Sequence, residues 1–172
     1  MNPSRIALLN KLIEMGGDIQ VFNHTSFGKE PVADVNVKSS SLNSCKVTSD
    51  DVPNLIDELP ILFIATCFAD GISSFSEIEE LKHKESDRLK AMQNGLDKMK
   101  IKNYLDGNIF CIEGMGKDYK TPNFLAETYF DHRIAMSFAI AGLNSNSFIE
   151  IASPESINTS FPEFMELGKK LG

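Results

Sequence analysis

The chain has 172 residues, 42% of them hydrophobic and 24% charged, a globular balance that excludes disorder or fibrous repeats as its main character and leaves room for a real core. Seventeen Lys and Arg against 24 Asp and Glu give a net charge of −7, which disfavours non-specific nucleic-acid binding because that needs a positive field. The longest apolar run, Ile61 to Ala69, is too short to span a bilayer and no basic-then-apolar leader opens the chain, so a cytoplasmic protein without membrane contact is expected.

Ser4 to Gly16 reads as an amphipathic helix with Ile6, Leu9, Leu12 and Ile13 on one stripe, stopped by Gly16-Gly17. A short strand over Asp18 to Phe22, a polar turn region over Asn23 to Glu30 and a strand over Pro31 to Lys38 follow, with a further short strand over Ser44 to Val47. Leu59 to Ala69 carries apolar residues on every side of a helix, which predicts burial all round. Ile72 to Ile78 reads as a strand and Ser86 to Lys100 as an amphipathic helix with Leu89, Met92, Leu96 and Met99 on its stripe. Asp106-Gly107 joins strands over Ile101 to Leu105 and Asn108 to Glu113 in a hairpin. Gly114 to Glu127 is irregular. His132 to Leu143 is a second helix apolar all round, a strand covers Ser147 to Ile151, and a last helix runs from about Pro162 to Leu171.

The order repeats: amphipathic helix, strands, buried helix, strand. The two buried helices are each led by an aspartate, Asp57 and Asp131, 74 residues apart. No Pro/Ser-rich linker separates the halves. An α/β fold is expected, with helices inside, sheets outside, and two repeat units at about residues 4–78 and 86–152 plus a C-terminal helix. Cys45, Cys67 and Cys111 are too widely spaced for a zinc motif and read as buried free thiols. The sequons at Asn23 and Asn158 read as chance matches.

Three segments could carry chemistry. In Lys82-His83-Lys84-Glu85-Ser86-Asp87-Arg88, a helix beginning near Lys84 would set Lys84, Glu85 and Arg88 on one side. A solvated helix start with self-paired charges fits the same run. In Asp131-His132-Arg133, the aspartate suits the positive end of a helix and the arginine does not. A bound anion would resolve that conflict, and so would an Asp131–Arg133 ion pair; His132 is a titratable neighbour. In Ile56-Asp57-Glu58-Leu59-Pro60, Asp57 is either a general base for a delivered hydroxyl or a plain helix cap.

In order and spacing, Asp57-Glu58-Leu59-Pro60, Lys84-Glu85-Ser86-Asp87-Arg88, Asp131-His132-Arg133-Ile134-Ala135-Met136 and Thr159-Ser160-Phe161-Pro162-Glu163-Phe164 resemble the C-terminal part of 5-enolpyruvylshikimate-3-phosphate synthases. Asn2-Pro3-Ser4-Arg5 and Glu30-Pro31-Val32-Ala33-Asp34 resemble it too. The family has two domains of three βαβαββ-type units each, with the active site in the cleft between them. The resemblance implies that this chain is a partial C-terminal domain, residues 1–172, of about two fifths of such an enzyme.

What the resemblance implies chemically is transfer of the enolpyruvyl group of phosphoenolpyruvate to the 5-hydroxyl of shikimate 3-phosphate with release of phosphate, in aromatic amino-acid biosynthesis, without metal or organic cofactor. By motif, Asp57 matches the carboxylate that takes the hydroxyl proton and Glu85 the acid/base at the methylene carbon. Lys84 matches a lysine beside shikimate 3-phosphate, Arg88 and Arg133 the arginines that clamp phosphoenolpyruvate, and His132 a histidine near them. Thr159 stands where some members carry a lysine, and His83 where the family usually has an apolar residue. The implied partners are the two substrates and the missing N-terminal domain of the same enzyme, so the chain alone is expected to be inactive. Two other readings stand beside this: a non-catalytic remnant that binds phosphorylated anions or a partner chain, and an enolpyruvyl transferase acting on a nucleotide sugar.

Overall fold

A computed structural model describes residues 1–145 and 147–171; Asn146 and Gly172 lie outside the described residues. After a turn closed by the Arg5 amide on the Asn2 carbonyl (2.9 Å) comes α1 (Ala7–Glu14). Its inner face is Ala7, Leu8 and Leu12, followed by the buried Met15. Ile13 is exposed, so the stripe is rotated from the one that Ile6, Leu9, Leu12 and Ile13 suggest.

The hairpin of β1 (Asp18–Phe27) and β2 (Glu30–Lys38) is antiparallel, running from Asp18 opposite Lys38 to Phe27 opposite Glu30. The polar stretch over 23–27 is therefore strand, not turn. A register shift between Phe22 and Thr25, with Asn23 at φ 53°, marks a bulge, and Gly28 at φ 63° makes the reversal. Both faces of these residues are wet; the ladder to β2 holds them, together with a hydrogen bond from Asn23 Nδ2 to Asp34 Oδ2 at 2.8 Å across the bulge.

The short β3 (Leu42–Asn43) and β4 (Lys46–Val47) both pair in parallel with β5 (Ala69–Ser76). Between them lie the single turn α2 (Val52–Leu55) and α3 (Leu59–Cys67). Pro60 fits the first turn of α3, where no backbone N–H is needed. Leu59, Leu62, Phe63, Ile64 and Cys67 are all buried, as the all-round apolar pattern predicts.

A 3-10 turn over Glu79–His83 precedes α4 (Arg88–Lys98). The helix does not begin near Lys84: Asp87 caps it, accepting from the Lys90 amide at 3.0 Å, and Lys84 is extended. The hairpin of β6 (Asn103–Asp106) and β7 (Ile109–Met115) turns at Gly107, φ 60°. β7 pairs antiparallel with β5, so the two halves of the chain share one sheet, in the order β3-β5-β7-β6.

The stretch over 114–127 is not wholly irregular, since β8 (Phe124–Ala126) pairs in parallel with β9 (Ile149–Ile151). Between them runs α5 (His132–Ser145), and a 3-10 turn over Pro154–Thr159 leads to α6 (Phe164–Leu171). Each buried helix is followed by a strand, α3 by β5 and α5 by β9.

The result is an α/β fold with its helices packed inside and its sheets outside. Phe63 meets Phe75 and Phe110 edge-on, at centroid distances of 4.7 and 5.2 Å, and so joins α3 to the sheet. On α4, Gly95 presses against Phe138 of α5; a Cβ at Gly95 would fall 1.9 Å from the Phe138 ring. That close approach lets α4 pack directly on α5. Cys45, Cys67 and Cys111 are buried free thiols.

Candidate active site

The helix entrances build the site. Arg88, the first residue of α4, is 1% exposed and carries a charge, which is tolerable only with partners. It has three carboxylates from three separate segments. Its Nε donates to Asp131 Oδ2 at 2.8 Å, its Nη1 to Asp57 Oδ1 at 3.2 Å, and its Nη2 to Glu85 Oε2.

Asp131 is fully buried just before α5. One of its oxygens, Oδ1, caps the helix, accepting from the Arg133 amide at 2.9 Å and the Ile134 amide at 3.4 Å. The other, Oδ2, accepts from Arg88 and from the Ser86 hydroxyl at 3.1 Å. The local ion pair between Asp131 and Arg133 does not form. The Arg133 guanidinium instead donates to the Asp57 carbonyl at 2.7 Å and sits 3.5 Å from the Glu58 carboxylate.

Asp57 does not cap α3. The N-cap there is Glu58, without a side-chain cap bond, and the Asp57 carboxylate turns to Arg88 and to Lys84 Nζ at 3.6 Å. Burial pushes the Asp57 carboxyl up, but the Arg133, Lys84 and Arg88 cations outweigh it and hold it below the usual carboxylate value. The hydrogen bond from Lys84 to Glu80, at 2.9 Å, raises the Lys84 ammonium; partial burial works against it and Asp57 adds to it.

Five of the six residues singled out from the sequence therefore meet: Asp57, Lys84, Glu85, Arg88 and Arg133. His132, the half-buried first residue of α5, makes no side-chain hydrogen bond or ion pair among the described residues. Thr159 is exposed, its hydroxyl donating to the Ser156 carbonyl at 2.7 Å, and His83 is exposed in the 3-10 turn. Sequence reasoning missed the bond from Asp131 to Arg88. The signal for Asp131 was its place at the mouth of an apolar helix, which marks a cap and says nothing of α4.

Chemically, the cluster sets two partly exposed carboxylates, Asp57 and Glu85, on either side of one guanidinium. Two part-exposed cations, Lys84 at 21% and Arg133 at 31%, lie beside them. A pocket of about 180 Å³ opens next to Asp57 and Arg133, walled by Pro60, Ile61, Met136 and Phe164. Carboxylates poised beside cations suit proton transfer on an anionic substrate. Among the described residues no group of three or more His, Cys, Asp or Glu is arranged to hold a metal ion.

The family model described as EPSP synthase (3-phosphoshikimate 1-carboxyvinyltransferase) matches residues 1–167. The chain belongs to the EPSP synthase family. It is 43% identical over 169 residues to the 3-phosphoshikimate 1-carboxyvinyltransferase of Aquifex aeolicus, covering 96% of this chain and 38% of that one. To the enzyme of that name from Rhizobium johnstonii it is 44% identical, covering 100% of this chain and 39% of the relative. The EPSP synthase structure from Acinetobacter baumannii superposes with a TM-score of 0.93 at 40% identity, over 100% of this chain and 40% of that one. The enolpyruvyl transferase NikO from Streptomyces tendae shares the fold, with a TM-score of 0.66 at 17% identity over 96% of this chain and 35% of that one. The chain thus spans about two fifths of the length of the EPSP synthases it matches.

Proposed function

We propose that this chain supplies the acid–base carboxylates and part of the anion clamp of an EPSP synthase, which transfers the enolpyruvyl group of phosphoenolpyruvate to the 5-hydroxyl of shikimate 3-phosphate and releases phosphate. The observation that carries this reading is the meeting of Asp57 and Glu85 on one buried guanidinium, Arg88, from segments 28 residues apart in sequence. Asp57, held ionised by its cations, takes the proton of the attacking hydroxyl. Glu85 delivers a proton to the methylene carbon as the oxygen adds to the enol carbon, and takes one back when the tetrahedral intermediate expels phosphate. Lys84 faces shikimate 3-phosphate. Arg133, partly open, and Arg88, once a carboxylate yields to the incoming anion, hold phosphoenolpyruvate, with His132 beside them.

In this reading residues 1–172 form part of the C-terminal domain as two repeat units, about 4–78 and 86–152, and the partner is the other domain of the same cytoplasmic enzyme. Half a cleft cannot align two substrates, and lost alignment alone removes about 7–11 kcal/mol of barrier lowering. The purified chain should therefore release no phosphate from the two substrates. A chimaera with this chain in place of the matching segment of the Aquifex aeolicus relative should turn over. Asp57→Asn or Glu85→Gln in that chimaera should slow it by about 10²–10⁴-fold. An active chimaera indifferent to both substitutions would overturn the assignment.

A further inference from the structure

Asp131 is the one group of the cluster with no exposed surface, and it joins α4, α5 and the loop at Ser86. Its Oδ2 binds the Nε edge of Arg88 and the Ser86 hydroxyl, and its Oδ1 binds the first amides of α5. With the Nε edge tied to Asp131, the planar guanidinium presents its other edge outward, Nη1 to Asp57 and Nη2 to Glu85. The same carboxylate fixes the backbone of Arg133, whose side chain reaches back to the Asp57 carbonyl.

We infer that Asp131 is a positioning residue: it aims the Nη edge of Arg88 at Asp57 and Glu85, and so sets the spacing of the two carboxylates and the donor edge that meets the substrate anion. This rests on the function proposed above. Asp131 itself touches no substrate, because it is covered. As a mere negative charge it would weaken anion binding; as a positioning group it strengthens binding through Arg88, and the two roles predict opposite signs.

The test compares two charge removals in the 172-residue chain. Asp131→Asn keeps an oxygen for the cap and turns its amide N–H groups against the Arg88 Nε–H. Glu80→Gln removes a charge that touches Lys84 and leaves Arg88 alone. Phosphoenolpyruvate is titrated and followed by NMR at the Arg88 side chain and the Arg133 amide. Glu80→Gln should bind more tightly than the unaltered chain, and Asp131→Asn about tenfold more weakly, with slow solvent exchange of the Ile134 amide before ligand is added showing that the cap survives. Tighter binding by both variants would overturn the inference. A chain that shows no shifts with phosphoenolpyruvate would instead sink this site's part in anion binding. The positioning claim is then read from solvent exchange of the Arg88 Nε–H, slow in the unaltered chain and fast in Asp131→Asn; equal exchange in both would reject it.

Discussion

The entrances to α3 and α5 look alike in sequence: an aspartate 74 residues from its counterpart, followed by a helix apolar all round. In the structure they have opposite duties. Asp131 is fully buried, caps its own helix and holds Arg88. Asp57 leaves its helix uncapped, stays about a third exposed and meets three cations. Burial and the direction of the side chain separate a residue that builds the site from one that can exchange a proton within it.

The sharpest way to break that contrast is to remove the group both entrances share. Arg88→Leu leaves Asp131 buried without its cation, and loss of one partner of a buried pair costs about 3–5 kcal/mol. Urea unfolding of the purified chain should show a loss of that size.

Next comes the direct comparison of the two aspartates. Asp131→Ala removes a cap and a buried pair, so it should cost about 3–5 kcal/mol in the same experiment. Asp57→Ala, at a part-exposed and screened position, should cost about 1 kcal/mol or less. Equal losses would show that the two entrances share one role.

A smaller effect tests the packing of α4 on α5. Gly95→Ala places a methyl group against the buried Phe138 ring and should cost about 1–3 kcal/mol. It should also move the Arg88 side-chain resonances, because α4 must shift from α5.

The smallest effect is the pH dependence of Asp57. Its folded value lies below its ordinary one, so the folded form binds the proton less readily than the unfolded form. The stabilisation is present above the unfolded value of about 4 and fades as pH falls through the lower folded value. The stability difference between the unaltered chain and Asp57→Asn should therefore be flat near neutral pH and shrink in acid. A difference that grew in acid would reverse the sign given to its cations.

Sequence alone determined the elements whose signal is local. Apolar residues on every side of α3 meant burial, the heptad-like stripe of Leu89, Met92, Leu96 and Met99 a one-sided helix, and Asp106-Gly107 a hairpin; the same all-round pattern overstated α5, where Leu143 is exposed and Met136, Ala139 and Ile140 are only half-buried because nothing among the described residues fully covers that side. The ordered motifs named the family and the residues to watch. The start of α4 was nearly legible: the apolar stripe put it at Ser86, two residues before Arg88, whereas the charge spacing would have begun it near Lys84, four residues early, and the cap at Asp87 decides it. Tertiary structure decided the rest. The polar end of β1 has no alternation to read, since both faces are wet and it is held by its partner strand β2, through the ladder and the Asn23–Asp34 side-chain bond. β8 is three residues long and exists through parallel pairing with a strand some 25 positions on. Above all, no local pattern says that Arg88 will be sealed from water by three carboxylates. That follows from chain segments far apart in sequence meeting around Arg88, and from the cost of leaving a buried charge without partners.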